Sequence, residues 1–156
     1  MLWAEDVTVV KDIDEAGNVA TITLVAGSYN NIKSLDPTPD SWANNRDNQV
    51  GIWTIHLEAN ASFTLPKISP TLNRHLYLYN GGNIIIDNTL IKNESSIKIV
   101  GDQDIKVTAG DDNCYLLLLE GEPIGEPVVN IGPFVMNTEE EIKQAYDDYR
   151  STRFGG

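Results

Sequence analysis

The sequence contains few of the residues from which disulfides and metal sites are built. Its 156 residues include one cysteine, Cys114, and two histidines, His56 and His75. A single cysteine excludes an internal disulfide and a cysteine-based zinc site. Cys114 begins the apolar run 114–119, where we expect a buried and unreactive thiol.

Basic residues and long apolar runs are also scarce. Eleven Lys and Arg stand against 23 Asp and Glu, which gives a formal net charge of −12. Such a surface repels phosphates, so we predict no direct contact with nucleic acid and no docking on an anionic membrane. No stretch reaches the roughly 20 apolar residues of a membrane helix, and residues 1–6 do not resemble a signal peptide. We therefore expect a cytoplasmic, acidic protein.

Short apolar segments separated by turn residues fill positions 1–120. Residues 50–57 alternate, with Trp53, Ile55 and Leu57 on one face and Thr54, His56 and Glu58 on the other. The predicted strands are 7–10, 20–26, 50–57, 61–65, 75–79, 84–86, 96–100, 105–108 and 115–119. No helix is available to connect parallel neighbours, so the pattern predicts an all-β, antiparallel jelly roll, sandwich or barrel.

Two regions depart from the strand pattern. The segment 27–49 contains Pro37, Pro39 and a polar cluster, and we expect disorder or a surface insertion there ahead of a functional loop. Trp42 is the exception, since a tryptophan in a polar loop generally packs against something. Near the end of the chain, Thr138 and Glu141 form a capping-box pattern that predicts one C-terminal α-helix.

The C-terminal quarter of the sequence carries a recognisable series of motifs. These are Gly121-Glu122-Pro123, Glu126-Pro127-Val128-Val129, Gly132-Pro133-Phe134-Val135-Met136-Asn137-Thr138, Asp148-Tyr149-Arg150 and Arg153-Phe154-Gly155. Together they resemble the tail of the pirin family, and looser similarity extends upstream. The resemblance implies an antiparallel cupin (jelly-roll) β-barrel over residues 1–120, with a tail and helix over 121–156 packed on the same domain.

Pirins are bicupins, and some are described as quercetin 2,3-dioxygenases while others act as transcriptional co-regulators. The resemblance covers only their C-terminal cupin. It places the family's iron site in an N-terminal cupin, built on an HxH motif with a later His and Glu, and we expect that half to be missing here. The resemblance therefore implies no cofactor in this chain.

A metal site can also be tested from the residues alone. A cupin oxygenase site generally needs three imidazoles and a carboxylate, whereas His56 and His75 are 19 positions apart and no HxH motif exists. The residue count still allows a metal site made of the two histidines with Glu58 or Glu94. We nevertheless predict no metal ligands and no catalytic residues, and no catalysis by this chain alone.

Our first functional hypothesis is a non-catalytic structural or protein-interaction module. In a bicupin the second barrel packs against the first, so a second barrel on its own exposes apolar surface. We therefore expect a homodimer or pairing with a partner cupin. The tail segment is the expected exchanged or bridging element because it is apolar and lies outside the strand series. The candidate interface residues are Val128, Val129, Ile131, Phe134, Val135 and Met136.

Two alternatives stay open. The chain could be part of a pirin-type quercetin 2,3-dioxygenase whose metal site lies in a missing or separate N-terminal half. It could instead be a small-molecule-binding barrel, since cupin mouths often hold ligands. The pocket candidates are Trp53, His75, Tyr77 and Tyr115, with simple filling of the core as the competing interpretation of those side chains.

Overall fold

The computed structural model describes residues 4–152. Residues 1–3, together with Arg153, Phe154 and Gly155 of the tail motifs, lie outside the described residues. The chain divides into two compact units, one ending at Pro123 and the other beginning at Ile124.

The first unit consists of antiparallel β-sheets. Its strands are β1 (Thr8–Ile13), β2 (Val19–Ala26), β3 (Ser28–Tyr29), β4 (Ile32–Lys33), β5 (Gly51–Leu57), β6 (Ser62–Leu65), β7 (Asn73–Gly81), β8 (Ile84–Ile86), β9 (Thr89–Ile91), β10 (Ser95–Ile99), β11 (Ile105–Ala109) and β12 (Cys114–Gly121). Six strands pair in the order β1-β2-β5-β12-β7-β10, four pair as β6-β11-β8-β9, and β3 pairs with β4. The predicted all-β, antiparallel fold is confirmed, and the sequence prediction missed only the short strands β3, β4 and β9 of this unit.

Side chains from both larger sheets form one hydrophobic core. In the six-stranded sheet, Ile55 and Leu116 point inward, and Phe63 and Val107 come from the four-stranded sheet. Strand β5 is buried at every second residue, as its alternation predicted. Cys114 is buried too, and its burial raises the pKa of the thiol, which agrees with the expected unreactive group.

The long segment 27–49 is more regular than the sequence suggested. It contains the β3–β4 hairpin and two 3-10 turns, Trp42–Asn44 and Arg46–Asn48. The Asn48 amide donates to the Trp42 carbonyl at 2.6 Å, and the Glu122 N–H donates to the Asn48 carbonyl at 2.8 Å. These bonds tie the segment to the end of β12, so it is a structured cover on one end of the first unit.

Gly27 starts this segment with φ +94°, a conformation that favours glycine. A Cβ on Gly27 would lie 2.8 Å from the Val50 carbonyl oxygen. The chain can therefore turn closely over β5 only with glycine at this position.

A buried ion pair lies at the same end of the six-stranded sheet. The fully buried Arg74 guanidinium donates from Nε to Glu120 Oε2 at 2.6 Å and from Nη2 to the Pro66 carbonyl at 3.0 Å. Gly51 leaves room for the Glu120 side chain, because a Cβ at this position would lie 2.6 Å from its Cγ. Burial raises the pKa of the Glu120 carboxyl, and the neighbouring Arg74 offsets only part of that rise.

The second unit is a hairpin and a helix. Strands β13 (Val129–Ile131) and β14 (Phe134–Met136) pair with each other, and α1 spans Glu139–Thr152. This stretch lies outside the strand series of residues 1–120, as expected, but most of it forms a hairpin of its own that the sequence did not predict. Among the described residues, no helix has the length and apolar character needed to cross a membrane.

The capping box at the start of α1 is confirmed. The Glu141 N–H donates to Thr138 Oγ1 at 3.2 Å, and Glu141 Oε2 accepts from the backbone N–H of Thr138 and of Asn137, both at 2.9 Å. Ile142 and Ala145 are the buried residues of α1.

Replacing Glu120 with alanine should destabilise the first unit strongly. The substitution leaves the Arg74 charge buried without its carboxylate, and such a loss costs about 3–5 kcal/mol in the free energy of unfolding. Glu120→Gln should cost less because an amide oxygen can still accept from Nε. Urea denaturation followed by tryptophan fluorescence measures the change, with the exposed turn variant Glu15→Ala as the control. Equal midpoints for Glu120→Ala and Glu15→Ala would contradict a stabilising role for the pair.

Candidate functional site

The outward face of the six-stranded sheet is the candidate site. Strand pairing places Leu117 of β12 between Thr54 of β5 and Tyr77 of β7. Leu119 lies in the same way between Ile52 and His75. Side chains that face the core alternate with these residues along each strand. Apolar and aromatic groups therefore also cover the side of the sheet that points away from the core.

Ring contacts organise this outer face. His56 stacks on Tyr115 with ring centroids 4.7 Å apart, and Tyr79 approaches Tyr115 at 6.5 Å. His75 stacks on Tyr77 at 6.2 Å. His56 Nε2 is buried and has no hydrogen-bond partner among the described residues. The rings thus form a continuous aromatic strip across β5, β12 and β7.

The outer face carries no carboxylate within its strands, although the chain contains 23 acidic residues. We define the outer face by its strand residues Val9, Lys11, Ile13, Val19, Thr21, Thr23, Val25, Ile52, Thr54, His56, His75, Tyr77, Tyr79, Ser96, Lys98, Tyr115, Leu117 and Leu119. Two lysines, both on edge strands, are its only residues with a fixed charge. Val9, Val25 and Tyr79 are each more than half exposed, so this is an accessible apolar surface.

The structure separates the four residues predicted to line a pocket. Trp53 points into the core, where it is fully buried and meets Tyr29 edge to face at 5.6 Å. His75, Tyr77 and Tyr115 lie on the opposite side of the same sheet. The prediction of one pocket lined by all four needs correction, because neighbouring residues of a strand alternate between faces.

The six predicted interface residues differ in exposure, with three partly buried and three exposed. Phe134 packs edge to face on Tyr146 of α1 at 4.8 Å, and Val129 and Met136 are half-buried. Val128, Ile131 and Val135 are exposed, by 75%, 45% and 58%. Only these three present substantial apolar area to a partner, and an interface at this hairpin stays a prediction.

The histidines do not fit a cupin iron site. His56 and His75 lie on the outer face, on strands separated by β12, whereas ligands to one ion must converge. Glu58, one of the two carboxylates left open as a third ligand beside Glu94, accepts from the Val19 N–H at 3.2 Å. Within residues 4–152, no three His, Cys, Asp or Glu side chains come close enough to hold a metal ion. We therefore assign no step to a metal in this chain.

The sequence pattern did not identify the outer face, although its signal was present. Residues 115, 117 and 119 and residues 75, 77 and 79 are apolar or aromatic at alternate positions. The intervening residues are mostly apolar as well, so both faces of β12 and β7 resemble core. Pattern alone could not decide which face is covered.

Comparisons with known proteins identify relatives of the chain. Residues 52–155 match the family profile of the pirin C-terminal cupin domain. A Vibrio cholerae protein provisionally named quercetin 2,3-dioxygenase is 34% identical over 102 residues, which cover 65% of this chain and 34% of that protein. Pirin-1 of Arabidopsis thaliana is 62% identical over 39 residues, or 25% of this chain and 14% of that protein.

The fold has a similar match among solved structures. The crystal structure of quercetin 2,3-dioxygenase from Acinetobacter baumannii superposes with a TM-score of 0.77 at 22% identity, covering 99% of this chain and 50% of that one. The chain thus spans about half of this solved structure and about a third of the Vibrio relative. With most of its length matched by the family profile, the chain belongs to the pirin family and corresponds to its C-terminal cupin domain.

Proposed function

We propose that the chain is a non-catalytic interaction module that self-associates by packing its outer face against the outer face of a second copy. The observation that carries the proposal is the absence of carboxylates from an exposed, aromatic sheet face in a chain of net charge −12. Two copies repel each other wherever acidic surfaces meet. Within its strands the outer face offers a surface on which they can meet without apposing carboxylates, and Glu58 lies at its border directly after β5.

The size of the outer face supports a specific contact. Six strands spaced about 4.8 Å apart and about six residues long, at roughly 3.3 Å per residue, cover on the order of 570 Å² in projection. Two such faces give about 1,100 Å², which exceeds the roughly 1,000 Å² of a specific interface. Face-to-face packing about 10 Å apart is also a common arrangement of two sheets.

The chemistry of the outer face supports the same occupant. Its central rows place Leu117 and Tyr77 side by side, and interface cores are enriched in aromatic residues and depleted of charged ones. Lys11 and Lys98 lie on the two edge strands β1 and β10, where a polar rim is expected. A partner cupin is the other occupant considered, and the experiment below distinguishes the two.

A charge at the centre of the outer face should break the association. Leu117→Glu places a carboxylate between Thr54 and Tyr77, and its desolvation in the interface should weaken self-association by about 100-fold or more. Sedimentation equilibrium from 1 to 100 µM measures the constant. Leu90→Glu is the matched control, because Leu90 is 58% exposed on β9 of the other sheet. Circular dichroism checks that both variants fold.

Three outcomes would overturn the proposal. The wild-type chain could remain a monomer at 100 µM, which would leave the outer face to a partner cupin. Leu117→Glu could associate as strongly as Leu90→Glu. Val135→Glu, on the β13–β14 hairpin, could dissociate the protein while Leu117→Glu did not, which would move the interface to the hairpin.

A second candidate function is one half of a quercetin 2,3-dioxygenase whose metal-bearing half lies elsewhere. The specific observation is that the Vibrio and Acinetobacter proteins carry that name and extend well beyond the matched region. The residues of this chain supply no iron ligand set, so this function requires a separate partner.

Oxygen uptake separates the two candidates. An interaction module should contain well below one iron per chain by elemental analysis, and quercetin should cause no oxygen consumption above a buffer blank. In a second arm of the assay, the protein is first loaded with ferrous iron under anaerobic conditions. Uptake that rises in proportion to bound iron would contradict a non-catalytic role.

A further inference from the structure

A cavity of about 290 Å³ lies between the 27–49 segment and the end of the six-stranded sheet. Its volume approaches the lower end of the range for small-molecule pockets. The segment supplies one side, and Val50, Ile68 and Glu120 supply the other. None of these groups belongs to the outer face, so the cavity is independent of the proposed interface.

Glu120 provides a buried hydrogen-bond acceptor at this cavity. Its side chain is only 3% exposed, and its recorded bond to Arg74 uses Oε2. Oε1 therefore remains able to accept a hydrogen bond from a ligand hydroxyl. Because Arg74 holds the carboxylate in place, the acceptor is pre-positioned.

Two unsatisfied donors belong to residues that contact the cavity lining, since Arg74 is paired with Glu120 and Trp53 lies next to Gly27. Trp53 Nε1 and Arg74 Nη1 are buried without a hydrogen-bond partner among the described residues. Trp53 Nε1 would be 3.2 Å from a Cβ on Gly27, and Gly27 lines the cavity. Buried polar groups usually have partners, so an unsatisfied pair of donors favours a site that takes oxygen-rich molecules.

The cavity lining includes two exposed cationic side chains. Lys33 and Arg46 are exposed residues of its lining, and neither forms an ion pair within the described residues. The lining carries two positive side chains, Lys33 and Arg46, and two negative ones, Asp36 and Glu120, so its charges balance in a chain of net charge −12. An arginine and a lysine together are a common means of holding a carboxylate.

Apolar groups also line the cavity. Leu35, Pro37, Val50 and Ile68 contribute to the lining, and they suit the body of a ligand that is polar at both ends. We propose that this cavity binds a small hydroxylated organic acid. Its hydroxyl donates to Glu120 Oε1, its apolar body lies against Val50 and Ile68, and its carboxylate pairs with Lys33 and Arg46.

Titration with 4-hydroxybenzoate tests this assignment. We expect saturable shifts of the backbone amide signals of Gly27, Gln49 and Val50 in nitrogen-15 NMR spectra, with a dissociation constant in the millimolar range or below. Benzoate lacks the hydroxyl and 4-hydroxybenzamide lacks the charge, so each should bind about tenfold more weakly or worse. The double variant Lys33→Glu, Arg46→Glu should lose binding of 4-hydroxybenzoate by at least about tenfold.

The variants in this test change exposed side chains and should fold. Lys92→Glu, which alters the charge on an exposed residue outside the cavity lining, should bind 4-hydroxybenzoate like the wild type. The proposal is overturned if no shifts appear at 10 mM, or if Lys92→Glu weakens binding as much as the double variant. Equal binding of all three compounds would also overturn it, since the hydroxyl and the carboxylate would then make no specific contact.

Discussion

The two-residue period of its β-strands is the constraint on which the rest of this molecule depends. In β5 and β12, the inward side chains other than Glu120 join the core, and the outward side chains join the outer face. Leu116 and Leu118 are fully buried, whereas Leu117 and Leu119 occupy the opposite side of the same strand. A chain that needed only a core could place polar residues at the outward positions, as solvated antiparallel sheets do. This chain does so at Thr21, Thr23 and Ser96, but it places Leu117, Leu119 and Tyr77 on the central strands of the outer face, and these residues need a functional explanation.

The same period accounts for what the histidines can and cannot do. Trp53 and His56 are three positions apart on β5, so their side chains must point to opposite faces. His56 thereby reaches Tyr115 on the outer face and is kept away from the core. His75 follows the same rule on β7. An iron site inside the barrel would have required these residues at odd-numbered positions in β5 and even-numbered positions in β7, where Trp53, Ile55 and Leu76 now pack.

Much of the fold could be predicted from the sequence because its signals are local. Alternation indicated β5, and Thr138 with Glu141 predicted the start of α1, since both depend only on nearby residues. The strands β3 and β4 were missed because two residues each are too few for a period to appear. The outer face was missed for a different reason: Tyr77 and Leu117 are suited equally to a core and to an interface, and only pairing across β7 and β12 shows which side they take. The role of Glu120 was not predicted because its partner Arg74 lies 46 positions away in the sequence. No residue near Glu120 indicates that the two side chains form a buried ion pair.

Glu120 links the stability of the first unit to the cavity above it. One carboxylate oxygen holds Arg74, and the geometry leaves the other to a ligand, so the same side chain serves the fold and the proposed site. Burying an ion pair is expensive, and well-packed apolar residues of similar volume are often as stable or more so. The small residues Gly51 and Gly27 around it give up side-chain packing to make room for the pair and the overlying segment. Stability alone therefore does not explain this arrangement. A hydrogen-bond acceptor on Glu120, held in place beneath the 27–49 segment, does explain it.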